Sequence, residues 1–92
     1  MFNRFKVVDK SMEPSFKEGD FVLINKIIYV IDKPKINDVI VAKWRNIHVI
    51  KRINDIVKDS YFLKGDNEEL GESFWVMQKD IVGKVWVHAK KE

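Results

Sequence analysis

The stretch Ile47-His48-Val49-Ile50-Lys51-Arg52-Ile53 decides how this chain is read. Side chains alternate between the two faces of a β-strand, so Ile47, Val49, Lys51 and Ile53 share one face. His48, Ile50 and Arg52 share the other. The first face is apolar except for Lys51. A lysine among β-branched neighbours either snorkels to an edge with its ammonium in water or is buried for a chemical reason. The pattern by itself favours snorkelling. Burial would have a consequence, because desolvation disfavours the ammonium form and pulls the pKa down from about 10.4. A lysine acting as a general base works best when its pKa is brought to about 7–8.

The same β pattern continues on both sides. Residues 5–8 form a first apolar stretch. Residues 21–31, rich in Val and Ile and interrupted by Asn25-Lys26, read as a long strand. Asp32-Lys33-Pro34-Lys35 is a turn, and Val39-Ile40-Val41 resumes the strand pattern after Asn37-Asp38. Arg45-Asn46 is the expected tip of the next turn. Tyr61-Phe62-Leu63 is a further strand ending at Gly65-Asp66-Asn67, and residues 68–73 read as a polar loop. A last strand covers residues 81–88, with Gly83 as a bulge or a point of close approach. No segment keeps a helical period over 11 or more residues, although one turn of helix after Ser11 fits. The expected class is all-β: about six short, mostly antiparallel strands in a small coiled sheet or barrel, forming one domain over residues 1–92.

Composition agrees with a small globular domain. The chain has 92 residues, of which 46% are hydrophobic and 34% charged. It contains no cysteine, which removes disulfides, thiolate nucleophiles and Cys-ligated zinc together. His48 and His88 are too few and too far apart to nominate a metal site, and no cofactor is expected. The net charge is only +3, and the basic residues are scattered. A nucleic-acid barrel stacking bases on Trp44, Trp75 and Trp86 is therefore disfavoured, and the aromatics read as core or rim. No run of about 18 apolar residues is present to span a membrane. The N-terminal residues lack the apolar core of a signal peptide. The expectation is a soluble protein, with the cytoplasm favoured and bilayer contact through exposed apolar side chains left open.

A base needs a nucleophile. Ser11 lies in Ser11-Met12-Glu13-Pro14-Ser15-Phe16, where Pro14 argues against a strand. A serine at a turn can cap local backbone. It can also be a nucleophile when a neighbouring base takes its proton, and a neutral lysine can serve.

Read in order, the pieces resemble the type I signal peptidases and their soluble relatives. Ser11-Met12-Glu13-Pro14-Ser15-Phe16 with Gly19-Asp20-Phe21-Val22-Leu23-Ile24 is similar to that family's nucleophile box. Asn37-Asp38-Val39-Ile40-Val41 is similar to the next box, with Asn37 where the family usually has glycine, a mild exchange because Asn tolerates a left-handed backbone. Lys51-Arg52-Ile53 resembles the lysine box, Gly65-Asp66-Asn67 the final box, and Ile81-Val82-Gly83-Lys84-Val85 the closing strand. In size the chain is similar to small anchorless members such as the maturation proteases of nickel-containing superoxide dismutase, which remove an N-terminal extension.

The resemblance implies a serine endopeptidase with Ser11 as nucleophile and Lys51 as general base, performing limited proteolysis of a precursor's N-terminal region. It implies that the Ser11 N–H donates to the oxyanion. It also implies an extended peptide held as a strand beside residues 5–9. Phe5, Val7, Met12, Phe16, Val22, Val41 and Ile50 would line shallow pockets, or else be plain core. Arg52, Asp66 and Ser73 would support the site, Ser73 through its hydroxyl on the lysine. The family's usual partners of Arg52 are not evident, and Glu72 is the stand-in. Position 9 is serine in members with a second oxyanion donor and glycine in many others. Here it is Asp9, which must point away from the oxyanion or impair the site. The alternative is therefore an impaired module of the same fold that acts by binding peptides.

Overall fold

The computed structural model describes residues 2–90. Its strands are β1 (Phe2–Lys6), β2 (Phe21–Asn25), β3 (Val39–Trp44), β4 (Ile47–Val57), β5 (Ser60–Lys64), β6 (Phe74–Met77) and β7 (Ile81–Ala89), with one short helix, α1 (Ile28–Ile31). They form one antiparallel sheet in the order β1-β2-β7-β3-β4-β5-β6. The all-β expectation holds. The sheet is open, with β1 and β6 as its edges.

The turns follow from residues that accept a left-handed backbone. Arg45 and Asn46, with φ of 50° and 65°, join β3 to β4 through a two-residue loop that seats Trp44 opposite Ile47. Asn37 has φ of 79°, the conformation for which the family's glycine is suited. Its N–H donates to the Ile53 carbonyl, which ties the entry of β3 to β4.

One expectation is corrected: the run 21–31 is not one strand. The Asn25 Oδ1 accepts the N–H groups of Ile27 and Ile28 at 2.8 and 3.2 Å, which turns the chain out of β2 and into α1. The about six strands expected are seven, the added one being Phe74-Trp75-Val76-Met77, which pairs with β5 directly after the polar loop. A single turn does follow Ser11, with Phe16 N–H donating to the Met12 carbonyl at 2.9 Å, and it does not extend into a regular helix. Gly83 is a close-approach point as read, since a Cβ there would lie 2.8 Å from the Asn25 carbonyl oxygen.

The core divides in two. One cluster buries Val7, Met12, Phe16, Val22, Ile24 and Val41. The other buries Ile40, Ala42, Ile53, Tyr61, Leu63 and Val76, with Trp44 stacked flat on Phe74 at its margin. The first lies under the turn that carries Ser11.

Candidate active site

Lys51 is buried, with 5% of its surface exposed, and so does not snorkel. Period-2 alternation on β4 turns it inward beside Ile53, which is fully buried. Burial pulls its pKa below the ordinary lysine value, and the carboxylates of Asp9 and Glu72 partly oppose that shift. Ser11 is also buried, at 4% exposure.

Two glycines bring these side chains together. A Cβ built on Gly71 would lie 2.8 Å from Lys51 Nζ, 2.8 Å from Ser11 Cβ and 3.8 Å from Ser11 Oγ. The amine and the hydroxyl thus flank one point, and only a residue without a side chain fits there. Gly71 has φ of 84°, which also favours glycine. A Cβ on Gly65 would lie 2.5 Å from the Ser11 carbonyl oxygen and 3.4 Å from Lys51 Nζ.

The segment 65–67 clamps the serine turn. Asn67 N–H donates to the Ser11 carbonyl at 2.8 Å, and the Asn67 side-chain amide donates to the Lys10 carbonyl at 3.1 Å. Asp66 accepts from Ser15 Oγ at 2.6 Å and takes both arms of the Arg52 guanidinium at 2.8 Å. Arg52 also donates to the Asn37 carbonyl. The stand-in reading of Glu72 as partner of Arg52 is therefore corrected to Asp66, and Glu72 acts on Lys51 instead. Ser73 is exposed, and its hydroxyl makes no hydrogen bond among the described residues.

Asp9 does not point away. Its Oδ1 accepts the Ser11 N–H at 3.0 Å and the Ser11 hydroxyl at 2.8 Å. Among the described residues, no hydrogen bond joins Ser11 Oγ to Lys51 Nζ.

A cleft of about 100 Å³ opens over Ser11 and Lys51. One wall is residues 6–9, and the other is residues 47–51 at the start of β4. β5 pairs with β4 only from Arg52 onward, so residues 47–51 leave one edge of β4 without a strand partner. The sequence reading placed a peptide beside the first wall, and of the second it named only Ile50 and Lys51 as site residues. Of the expected pocket residues, Val7, Met12 and Ile50 line the cleft. Val22 and Val41 are sealed in the core with Phe16, and Phe5 packs against that core with its ring 5.2 Å from the His48 ring.

The profile of the family described as Signal peptidase, peptidase S26 matches residues 1–56. The chain belongs to this family. It is also 40% identical over 52 residues to Signal peptidase I of Aquifex aeolicus, a stretch covering 53% of this chain and 20% of that protein. The chain thus spans about a fifth of the curated relative it matches. The matched residues include Ser11, Lys51 and Asp9, while Gly65, Asp66, Asn67 and Gly71 lie beyond them. Among the described residues, no helix is long and apolar enough to cross a membrane, and no cluster of ligating side chains could hold a metal ion.

Proposed function

We propose that this chain is a serine endopeptidase in which Ser11 is the nucleophile and Lys51 its general base. The observation that carries this reading is a desolvated lysine amine and a buried serine hydroxyl on either side of Gly71. In the proposed reaction, neutral Lys51 takes the hydroxyl proton as Ser11 Oγ bonds to the scissile carbonyl carbon. The oxyanion faces the Ser11 N–H. Collapse breaks the C–N bond, and Lys51 returns the proton to the leaving amine. Water, deprotonated by Lys51, then attacks the Ser11 ester carbonyl, and collapse breaks the C–Oγ bond and releases the acid as Lys51 returns the proton to Ser11 Oγ.

The substrate class is an extended peptide, such as the N-terminal region of a precursor. The unpartnered edge of residues 47–51 and the facing segment 6–9 support strand-like binding, in which backbone groups give affinity and small pockets give selectivity. Maturation of a nickel-type superoxide dismutase precursor is one form of this chemistry.

The test is cleavage of an extended-peptide library, with products read by mass spectrometry. Ser11→Ala and Lys51→Ala should each abolish cleavage while circular dichroism stays native. Lys51→Arg should be inactive too, since arginine stays protonated. Cleavage that survives in Lys51→Ala would defeat the proposal. The Asp9–Ser11 contact favours a second reading, an impaired peptide-binding module. That reading predicts library peptides bound but never cut by the wild type.

A further inference from the structure

We propose that Asp9 is a resting-state latch on the nucleophile, holding Ser11 in an unreactive arrangement until a bound peptide displaces it. This rests on the reading of Ser11 as nucleophile.

The geometry is specific. An oxyanion-hole donor works when the developing oxyanion lies about 2.7–3.1 Å from it. Asp9 Oδ1 lies 3.0 Å from the Ser11 nitrogen, and so occupies the place where that oxyanion would form. The same oxygen accepts the Ser11 hydroxyl proton at 2.8 Å, so the hydroxyl is turned to Asp9 and not to the amine. One carboxylate oxygen thus removes two things the reaction needs: a free oxyanion donor and a nucleophile bonded to its base. A negative charge there would also repel the oxyanion itself.

The latch is built to open. Asp9 lies between β1 and the Ser11 turn and is exposed, so its side chain has solvent to rotate into. It lines the cleft wall along which a peptide would lie, so an incoming carbonyl competes for the same N–H. Its attraction to Lys51 ties the latch to the base. With Lys51 protonated, the carboxylate is held near the site, and with Lys51 neutral that attraction is gone. The other charged or titratable groups facing this point are Glu72 from the loop 68–73, and Lys6 and His48 on the two cleft walls.

Two measurements on the intact protein test this. The first is the Ser11 amide proton shift read by NMR at neutral pH, in wild type and Asp9→Gly. The second is the rate at which a small fluorophosphonate labels Ser11, with Ser11→Ala as the blank and Asp9→Ser as a second variant in case the glycine disturbs the turn. We expect the amide to lie further downfield in wild type than in Asp9→Gly, as a carboxylate-bonded N–H does, and labelling to rise about tenfold or more in both variants. An amide at the same shift in both overturns the latch whatever the chemistry. Wild type labelling as fast as both variants also overturns it, and leaves the peptidase reading intact. An amide held downfield in wild type, with no labelling or cleavage in any variant, removes the peptidase reading and the latch with it.

Discussion

Arg52 grips Asp66 with Nε and Nη2 each 2.8 Å from a separate carboxylate oxygen. The two residues belong to β4 and to the turn that clamps Ser11, so this fork fixes Lys51's strand against the serine's support. Partly buried charge-assisted bonds of this kind contribute about 1–3 kcal/mol. Asp66→Ala should lower the urea midpoint accordingly, and should reduce peptide cleavage more steeply than stability, because Asn67 would lose its hold on the Ser11 carbonyl.

The same pair sets an acid limit. Arg52's hydrogen bonds hold the Asp66 carboxyl below its ordinary 3.8, desolvation opposes them, and the Ser15 hydroxyl assists them. A depressed carboxyl stabilises the fold above its unfolded value and loses that contribution as pH falls through the folded one. Unfolding free energy should therefore drop below about pH 3.8. The slope of that drop should be shallower in Asp66→Asn, as followed by denaturation at a series of pH values.

The glycines separate site from scaffold. Gly71→Ala puts a methyl 2.8 Å from both Lys51 Nζ and Ser11 Cβ. Pushing the base off the nucleophile by about 1 Å can cost on the order of 10²-fold in rate. The φ of 84° at Gly71 strains any side chain placed there, so melting should also fall, by about 1 kcal/mol in stability. Gly83→Ala instead meets the Asn25 backbone between β2 and β7, and should destabilise by about 1–3 kcal/mol while its folded fraction cleaves normally. Paired melting curves and cleavage rates distinguish the two. Equal activity losses would contradict this assignment.

The pH–rate profile should report Lys51. Burial lowers its pKa below 10.5, so cleavage should rise with pH along a limb placed below that value. Glu72 raises the Lys51 pKa through charge. Removing that charge in Glu72→Gln should move the limb to lower pH and increase the rate on its acid side. A limb that stays put, or shifts upward, would show that Glu72 does not act on the base.

The placement of Lys51 on its strand and of the turns around it was legible because local rules fix both. Period-2 alternation alone turned Lys51 to the Ile53 face, and a left-handed backbone at Asn37 and at Arg45-Asn46 matched what those turns require. Residues whose roles depend on distant partners were harder to read. β6 is four residues long and gains its strand character from pairing with β5. The Arg52–Asp66 fork spans 14 positions that no local pattern links. α1 interrupts a run of Val and Ile because one amide, Asn25, captures two backbone N–H groups. Asp9 was singled out by type, but whether it pointed toward or away from Ser11 is set by the turn's backbone.

A buried amine kept for chemistry should cost the fold stability. Desolvation lowers the folded pKa of Lys51, so the unfolded chain binds its proton more tightly than the native one does. Stability should therefore rise with pH from the folded value of Lys51 up to about 10.5, and the penalty is at its full size below that window. Lys51→Met has similar volume and no charge to desolvate. It should abolish cleavage, raise the unfolding free energy at pH 7 by about 1 kcal/mol or more, and flatten the alkaline rise. Denaturant titrations at pH 7 and pH 9 would measure all of this. A methionine variant less stable than wild type at both pH values would mean that the ammonium is stabilised in place, and that Lys51 is not a base held ready by its surroundings.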